Sequence, residues 1–223
     1  MHLDHKEELA KRGIIWFYDY SGDPKKPHAI LHSGRHSDGF TRPEIITKDP
    51  DFLNEICNDL ITITWSKIGN IKRIKKILSL DLRSNIIAYN MALRLGQIPQ
   101  YGNTCLHGGY VIEECNLPSR PSMDIRTGEE ILLITNFFSE TIFSDIPLID
   151  SIIMESGGNV LPYVATFMNQ SGIRTGNNKE ILALVNRKIS KWVPDECPLC
   201  KNNSSPAVSI KNWDFSDCPL YLK

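Results

Sequence analysis

The sequence predicts an α/β fold, a mainly parallel sheet with helices on both faces. Three observations carry that prediction. Short apolar runs recur at residues 77–80, 131–134, 160–167 and 181–185. Stretches with apolar residues at helical spacing separate the first three of them. Caps and stops of the right chemistry bound those stretches, and strand–helix–strand at such intervals is the pattern of parallel βαβ units.

Along the chain, residues 3–11 suit a short helix ending at Gly13, and residues 14–18 are apolar. Residues 20–27 hold Gly22, Pro24 and Pro27 and read as a loop. Residues 28–32 suit a strand. Asp49-Pro50 then opens a helix, since Asp caps and Pro fits the first turn, and Phe52, Leu53, Ile56, Leu60 and Ile63 follow at helical spacing. The basic group Lys72, Arg73, Lys75 and Lys76 reads as a solvated approach to the strand at 77–80. A helix over 85–95 stops at Gly96. After the strand at 131–134, a turn is expected to lead to a helix capped by Ser144 or Asp145, with Pro147 in its first turn and Gly157-Gly158 at its end. Strands at 160–167 and 181–185 complete the sheet.

The 223 residues carry 25 Lys+Arg against 26 Asp+Glu, with 41% hydrophobic and 23% charged residues. A net charge of −1 argues against nucleic acid as the main partner but leaves room for a small phosphorylated ligand. No apolar run is long enough to span a bilayer, and the first residues are polar, so a cytoplasmic protein without membrane association is expected.

Six cysteines are expected to be reduced thiols or metal ligands. Only Cys197 and Cys200 have C-x-x-C spacing; a structural zinc needs four ligands. Cys218 offers a third, but no histidine follows His107, so the pair reads as a turn with two buried thiols around Pro198 and no metal is assigned. A site built from His2, His5, His28, His32 and His36 would need two loops to converge. Cys105 or Cys115 with His107 is a further, nucleophilic possibility, without an evident third group to orient it.

In sheets of this kind ligands bind at the carboxyl ends of the strands, which selects the loops at 31–40, 80–85 and 135–143. The first, with its preceding strand, reads His28-Ala29-Ile30-Leu31-His32-Ser33-Gly34-Arg35-His36-Ser37-Asp38-Gly39-Phe40 and resembles the K-S-G-R-x-S loop of orotate phosphoribosyltransferases. Ile86-Ile87-Ala88-Tyr89 is similar to the helix after that family's pyrophosphate loop. Gly157-Gly158-Asn159-Val160 is similar to the stretch after its phosphoribose helix, and Cys197-Pro198-Leu199-Cys200 to its terminal segment. These landmarks fall in the family's order from about His28 to Lys211. The resemblance implies a type I phosphoribosyltransferase fold. It also implies a reaction joining a base to ribose 5-phosphate from phosphoribosyl pyrophosphate with Mg²⁺, and a homodimer sharing a mobile loop. The domain is expected over 28–211, with residues 1–27 as an N-terminal helix and loop of the same unit and 212–223 as a tail.

Four parts of the implied site depart from the family's chemistry. Thr135-Asn136 stand at its acidic pair, and Ser139-Glu140-Thr141 where T-T-G belongs. Ser79-Leu80-Asp81-Leu82-Arg83-Ser84 stand in place of the glycine-rich pyrophosphate loop, and Asp81 and Glu140 bring negative charge where anions should bind. His32 replaces a lysine. The mobile-loop stretch at 107–120 has no lysine and two acids, with Arg120 and Arg126 the nearest cations. The expected function is therefore a non-catalytic or repurposed relative, with no catalytic residue assigned. It would bind a nucleotide, phosphoribosyl pyrophosphate or a protein partner. Ligand contacts are expected from Ser33, Arg35, Ser37, Arg83, Ser84, Thr135, Asn136, Ser139 and Thr141. The alternative is an active transferase acting on a pyrimidine-type base, with Mg²⁺ as cofactor. Phe137 and Phe138 read as core anchors, or else as an apolar plug of the ribose site.

Overall fold

A computed structural model describes residues 5–18, 27–96, 125–202 and 205–212. The chain divides into two compact units, one of residues 46–187 and one of residues 1–45 with 188–223.

The larger unit begins with α2 (Pro50–Ile68), whose first turn is closed by the Asp49 carboxylate accepting from Phe52 N–H. It continues through β5 (Ile74–Ser79), α3 (Asn85–Arg94), β6 (Glu130–Phe138), α4 (Glu140–Glu155), β7 (Asn159–Asn169), β8 (Thr175–Gly176) and β9 (Lys179–Asn186). The sheet order is β5-β6-β7-β9-β8, parallel except for β8 at the edge. Every residue of β6 from Ile131 to Phe138 is buried, so both faces of this interior strand are covered, as a parallel sheet between helices requires. On one face Ile142, Ile146, Ile149 and Ile153 of α4 pack in one core with Leu78, Leu133, Val164 and Ile181. Helices α2 and α3 also pack on the sheet. Gly158 sits where a side chain would collide with Ile125, Ile131 and Ile153, which is why the α4–β7 turn needs glycine there.

The basic group runs into β5 and is balanced locally: Arg73 is paired with Glu130, and Lys76 lies 3.3 Å from Glu129. Lys72, Arg73 and Lys75 are exposed, as a solvated approach requires, whereas Lys76 is buried inside β5 against Glu129.

Two boundaries differ from the sequence expectation. β6 does not end at Ile134 but continues through Thr135, Asn136, Phe137 and Phe138, and α4 starts at Glu140 with Ser139 as its cap. Ser144 and Asp145 lie inside the helix, as does Pro147. The loop expected at 135–143 is thus replaced by strand and helix with one residue between them.

The smaller unit contains α1 (His5–Lys11), β1 (Ile15–Phe17), β2 (Pro27–Ile30), β3 (His36–Ser37), β4 (Gly39–Thr41), β10 (Lys191–Trp192), α5 (Pro198–Lys201) and β11 (Ser205–Ser209). β1 pairs with β4, and β10-β3-β2-β11 form a second sheet. β2 and β3 are a hairpin whose turn is closed by Leu31 N–H to Arg35 O at 2.8 Å, with Gly34 at φ +77°. No helix among the described residues is long and apolar enough to cross a membrane.

Candidate functional site

The carboxyl ends of β5 and β6 lie side by side, and there the polar residues bond to one another. Beyond Ser79↔Ile134, the last pair of the β5–β6 ladder, the chain turns at Asp81–Ser84. The Asp81 carboxylate accepts from Ser84 N–H at 3.0 Å, from the Ser84 hydroxyl, and from the Thr135 hydroxyl at 2.7 Å. The same Ser84 oxygen accepts from Asn136 N–H at 2.7 Å, so a side chain takes over from β5 as the partner of β6. The Asn136 amide donates to Arg83 O at 2.8 Å, and the Ser79 hydroxyl bonds to Asn85. Ser84, Thr135 and Asn136 are all buried.

At the next turn Ser139 Oγ accepts from Ile142 N–H at 3.3 Å, an N-cap that occupies one of the N–H groups an anion would need. Glu140, exposed in the first turn of α4, adds negative charge at the same end. Neither strand end is an open cradle for phosphate.

Of the residues expected to bind ligand, Ser84, Thr135 and Asn136 are brought together with Asp81, which the sequence marks only as a misplaced charge. Asp81 is the centre of the network: three donors converge on its carboxylate. The backbone of Arg83 joins the network while its side chain is exposed, and Thr141 is exposed on α4. Ser33 and Arg35 lie in the smaller unit, exposed in the β2–β3 turn. Ser37 is buried, with its hydroxyl 2.6 Å from Gly39 O and 2.8 Å from Ser190 O, so its one proton is shared between two carbonyls of the chain. The sequence pattern S-G-R-x-S does not reveal this, because the Ser190 carbonyl comes from 153 positions away.

The Mg²⁺ implied by the family resemblance does not fit these residues. Magnesium is usually held by one or two carboxylates together with substrate phosphates. Here Thr135-Asn136 stand where the acidic pair is expected, and among the described residues the carboxylate between the strand ends, Asp81, has both oxygens engaged by protein donors.

The nucleophile pairing of Cys105 or Cys115 with His107, the mobile-loop stretch at 107–120 and Cys218 lie outside the described residues. Cys57 is described, buried in α2 with its sulfur 4.0 Å from Ile87 O. Burial pushes its thiol up to about 12, against a weaker opposing pull from Arg94. It should stay unmodified by iodoacetamide at pH 8 while the protein is folded, and react once urea unfolds it, as mass spectrometry would show. Between the ordinary 9.0 and about 12 the folded state keeps a proton that the unfolded chain loses, so this group makes stability fall as pH rises through that window.

In the smaller unit His28, His36, Cys197 and Cys200 converge, with one ligand atom from each lying within 4.8 Å of the others. The C-x-x-C pair, which in the sequence lacks further ligands, meets two histidines from the N-terminal hairpin.

No family model matches the chain. Orotate phosphoribosyltransferase of Caldicellulosiruptor saccharolyticus is 24% identical over 192 residues, 86% of this chain and 92% of the relative. That of Desulforamulus reducens is 20% identical over 90% of this chain and 96% of its own. Among solved structures, orotate phosphoribosyltransferase from Aeropyrum pernix aligns over 82% of this chain and 93% of its own with a TM-score of 0.56 at 15% identity. Adenine phosphoribosyltransferase from Rhodothermus marinus aligns over 83% and 99% with a TM-score of 0.53 at 13% identity. Sequence and architecture agree: this chain is similar to orotate phosphoribosyltransferases over most of its length and has the type I phosphoribosyltransferase fold.

Proposed function

We propose that this protein is a non-catalytic relative of the orotate phosphoribosyltransferases, a cytoplasmic homodimer kept for binding a nucleotide or phosphoribosyl-type ligand and not for phosphoribosyl transfer. One observation carries the proposal: Asp81, Ser84, Thr135 and Asn136 bond to one another and to Arg83 O, with only Asn136 Oδ1 left as a buried acceptor, where the reaction would need open donors and free carboxylates.

The energetics are unfavourable for transfer. Positive charge builds on the ribose in an oxocarbenium-like transition state, and neutral Thr135 and Asn136 cannot oppose it as a carboxylate pair would. By analogy with oxyanion donors, each such loss costs about 2.7–4 kcal/mol, a factor of about 10²–10³ in rate. The capped start of α4 and its Glu140 disfavour the 5-phosphate as well.

A residual ligand site is favoured by Arg83, an exposed residue whose backbone carbonyl belongs to the network, with the exposed Thr141 at the start of α4. The similarity to curated transferases over most of the chain favours the competing reading, an active enzyme for a pyrimidine-type base. The deciding measurement mixes the protein with Mg²⁺, phosphoribosyl pyrophosphate and a panel of bases including orotate, and follows pyrophosphate. We expect release no faster than in the protein-free control; turnover abolished by Arg83→Ala would overturn the proposal. Calorimetry with phosphoribosyl pyrophosphate and orotidylate then separates the binding roles: heat lost in Arg83→Ala supports a small ligand, and silence with both leaves a protein partner.

A further inference from the structure

We propose that His28, His36, Cys197 and Cys200 form a structural zinc site that ties the N-terminal hairpin to the C-terminal turn of the smaller unit. Zinc accepts two thiolates and two imidazoles in a tetrahedron, with about 2.3 Å to sulfur and about 2.0–2.1 Å to nitrogen. Those bond lengths set the edges of the tetrahedron at about 3.5 Å between sulfur and nitrogen and about 3.3 Å between nitrogens. The structure places His28 Nε2 3.6 Å from Cys197 Sγ and 3.4 Å from Cys200 Sγ, with His36 Nδ1 3.2 Å from Cys200 Sγ. The two ring nitrogens are 3.1 Å apart.

Hydrogen bonding alone does not account for this cluster. A ring nitrogen carries one proton or one lone pair, never both. His28 Nε2 nevertheless has three polar neighbours, His36 Nδ1, Cys197 Sγ and Cys200 Sγ, at hydrogen-bond range. Four of the six atom pairs stand at 3.1–3.6 Å and all lie within 4.8 Å, the grouping expected of ligands to one cation.

Local structure builds the ligand set. In the hairpin Ile30 pairs with His36, and His28, two residues before Ile30, shares its face, which sets both imidazoles side by side with ring centroids 5.0 Å apart. The sulfurs come from the turn 194–201, where Cys197 N–H bonds to Pro194 O and Lys201 N–H to Cys197 O. His28 and Cys197 are fully buried, and Cys197 packs with Tyr18, Leu199, Trp16 and Trp192. Four protein ligands leave no open position, so the role is structural, clamping segments 169 positions apart in the chain. Two nitrogens and two sulfurs suit zinc over magnesium or calcium, which take oxygen.

The test uses the full-length protein, purified under reducing conditions and equilibrated with Zn²⁺, then freed of loose metal by gel filtration. Elemental analysis should find one zinc per chain. Retained zinc should fall by about tenfold or more in Cys200→Ser and in His36→Gln, each of which removes a ligand. Cys57→Ala and Cys218→Ser should keep the metal. Because a ligand variant can fail to fold, the unmodified protein is also loaded with Co²⁺. A tetrahedral visible spectrum with a sulfur-to-cobalt charge-transfer band of two-thiolate intensity, displaced by Zn²⁺, supports the site without any substitution. Absence of stoichiometric zinc, zinc that survives both ligand variants, or an octahedral cobalt spectrum would overturn it.

Discussion

Thr135→Asp, which restores a carboxylate where the related transferases carry one, should destabilise this protein by about 3–5 kcal/mol at neutral pH, the cost expected of a buried charge without a partner. Thr135 is fully buried, and its hydroxyl donates to Asp81. A carboxylate there cannot donate when ionised, and it would face the Asp81 carboxylate across the same short gap. Desolvation and the like charge both raise the pKa of the introduced acid. The sign of the pH effect follows. Between its unfolded and raised folded pKa the folded state holds the extra proton, so the penalty grows as pH rises and shrinks on acidification toward pH 4.

The same geometry predicts a rescue. Asp81→Asn removes the opposing charge and offers an amide N–H to the new carboxylate, while Ser84 and the chain around it are left in place. The double variant should therefore be more stable than Thr135→Asp alone, with a coupling energy of about 1–3 kcal/mol. Urea unfolding of the four proteins at pH 7 and pH 4 measures both effects. A Thr135→Asp variant within about 1 kcal/mol of the parent, or one that Asp81→Asn does not help, would show that the strand ends are not locked together. The change at the pyrophosphate-loop position and the change at the acidic pair are one structural event, Asp81 having found its donor in Thr135. Changing Thr135 alone removes one of the three donors to Asp81, and changing Asp81 alone removes the acceptor of the Thr135 hydroxyl.

Much of this was legible in the sequence, and what was not has physical causes. The apolar runs at 77–80, 131–134 and 160–167 mark buried strands because parallel strands need both faces apolar. Asp49-Pro50 marks a helix start because capping chemistry is local. The start of α4 was misplaced because Pro147 suits a first turn, yet here it lies within the helix. A proline in a helix interior costs about 3 kcal/mol. Burial of Ile142, Ile146, Ile149 and Ile153 outweighs that, at about 1.5–3 kcal/mol for each side chain. Thr135 and Asn136 looked like loop residues because their polarity suits a turn, and only the donors and acceptors of the neighbouring strand end make them strand. The convergence of His28 and His36 on Cys197 and Cys200 is a matter of topology: no local spacing connects residues 169 positions apart.

Phe138→Ala should cost about 3–5 kcal/mol, the usual range for removing a buried aromatic side chain, and Phe137→Ala less. Phe138 is fully buried among Leu133, Ile142 and Ile146, with Phe143 edge-on at 6.3 Å. Phe137, the next residue of the strand, points to the opposite face, stays 9% exposed and meets Phe167 edge-on at 5.8 Å. Phe138 ties β6 to α4 on one face, and Phe137 ties it to Phe167 of β7 on the other, which is the work of core residues. An aromatic plug filling an abandoned ribose site behaves differently: its removal would leave stability nearly unchanged and open a pocket for a nucleoside. Thermal unfolding of both variants, with and without orotidylate, separates the two. We expect Phe138→Ala to lose stability that orotidylate does not restore, and Phe137→Ala to bind orotidylate no better than the parent. Ligand-dependent stabilisation gained only in Phe137→Ala would instead identify that ring as the stopper of a site still formed behind it. The expected result bears on the function as well. If both rings belong to the core, β6 cannot be loosened at its end without loss of the fold, and a ligand held by Arg83 and Thr141 binds outside the closed strand ends.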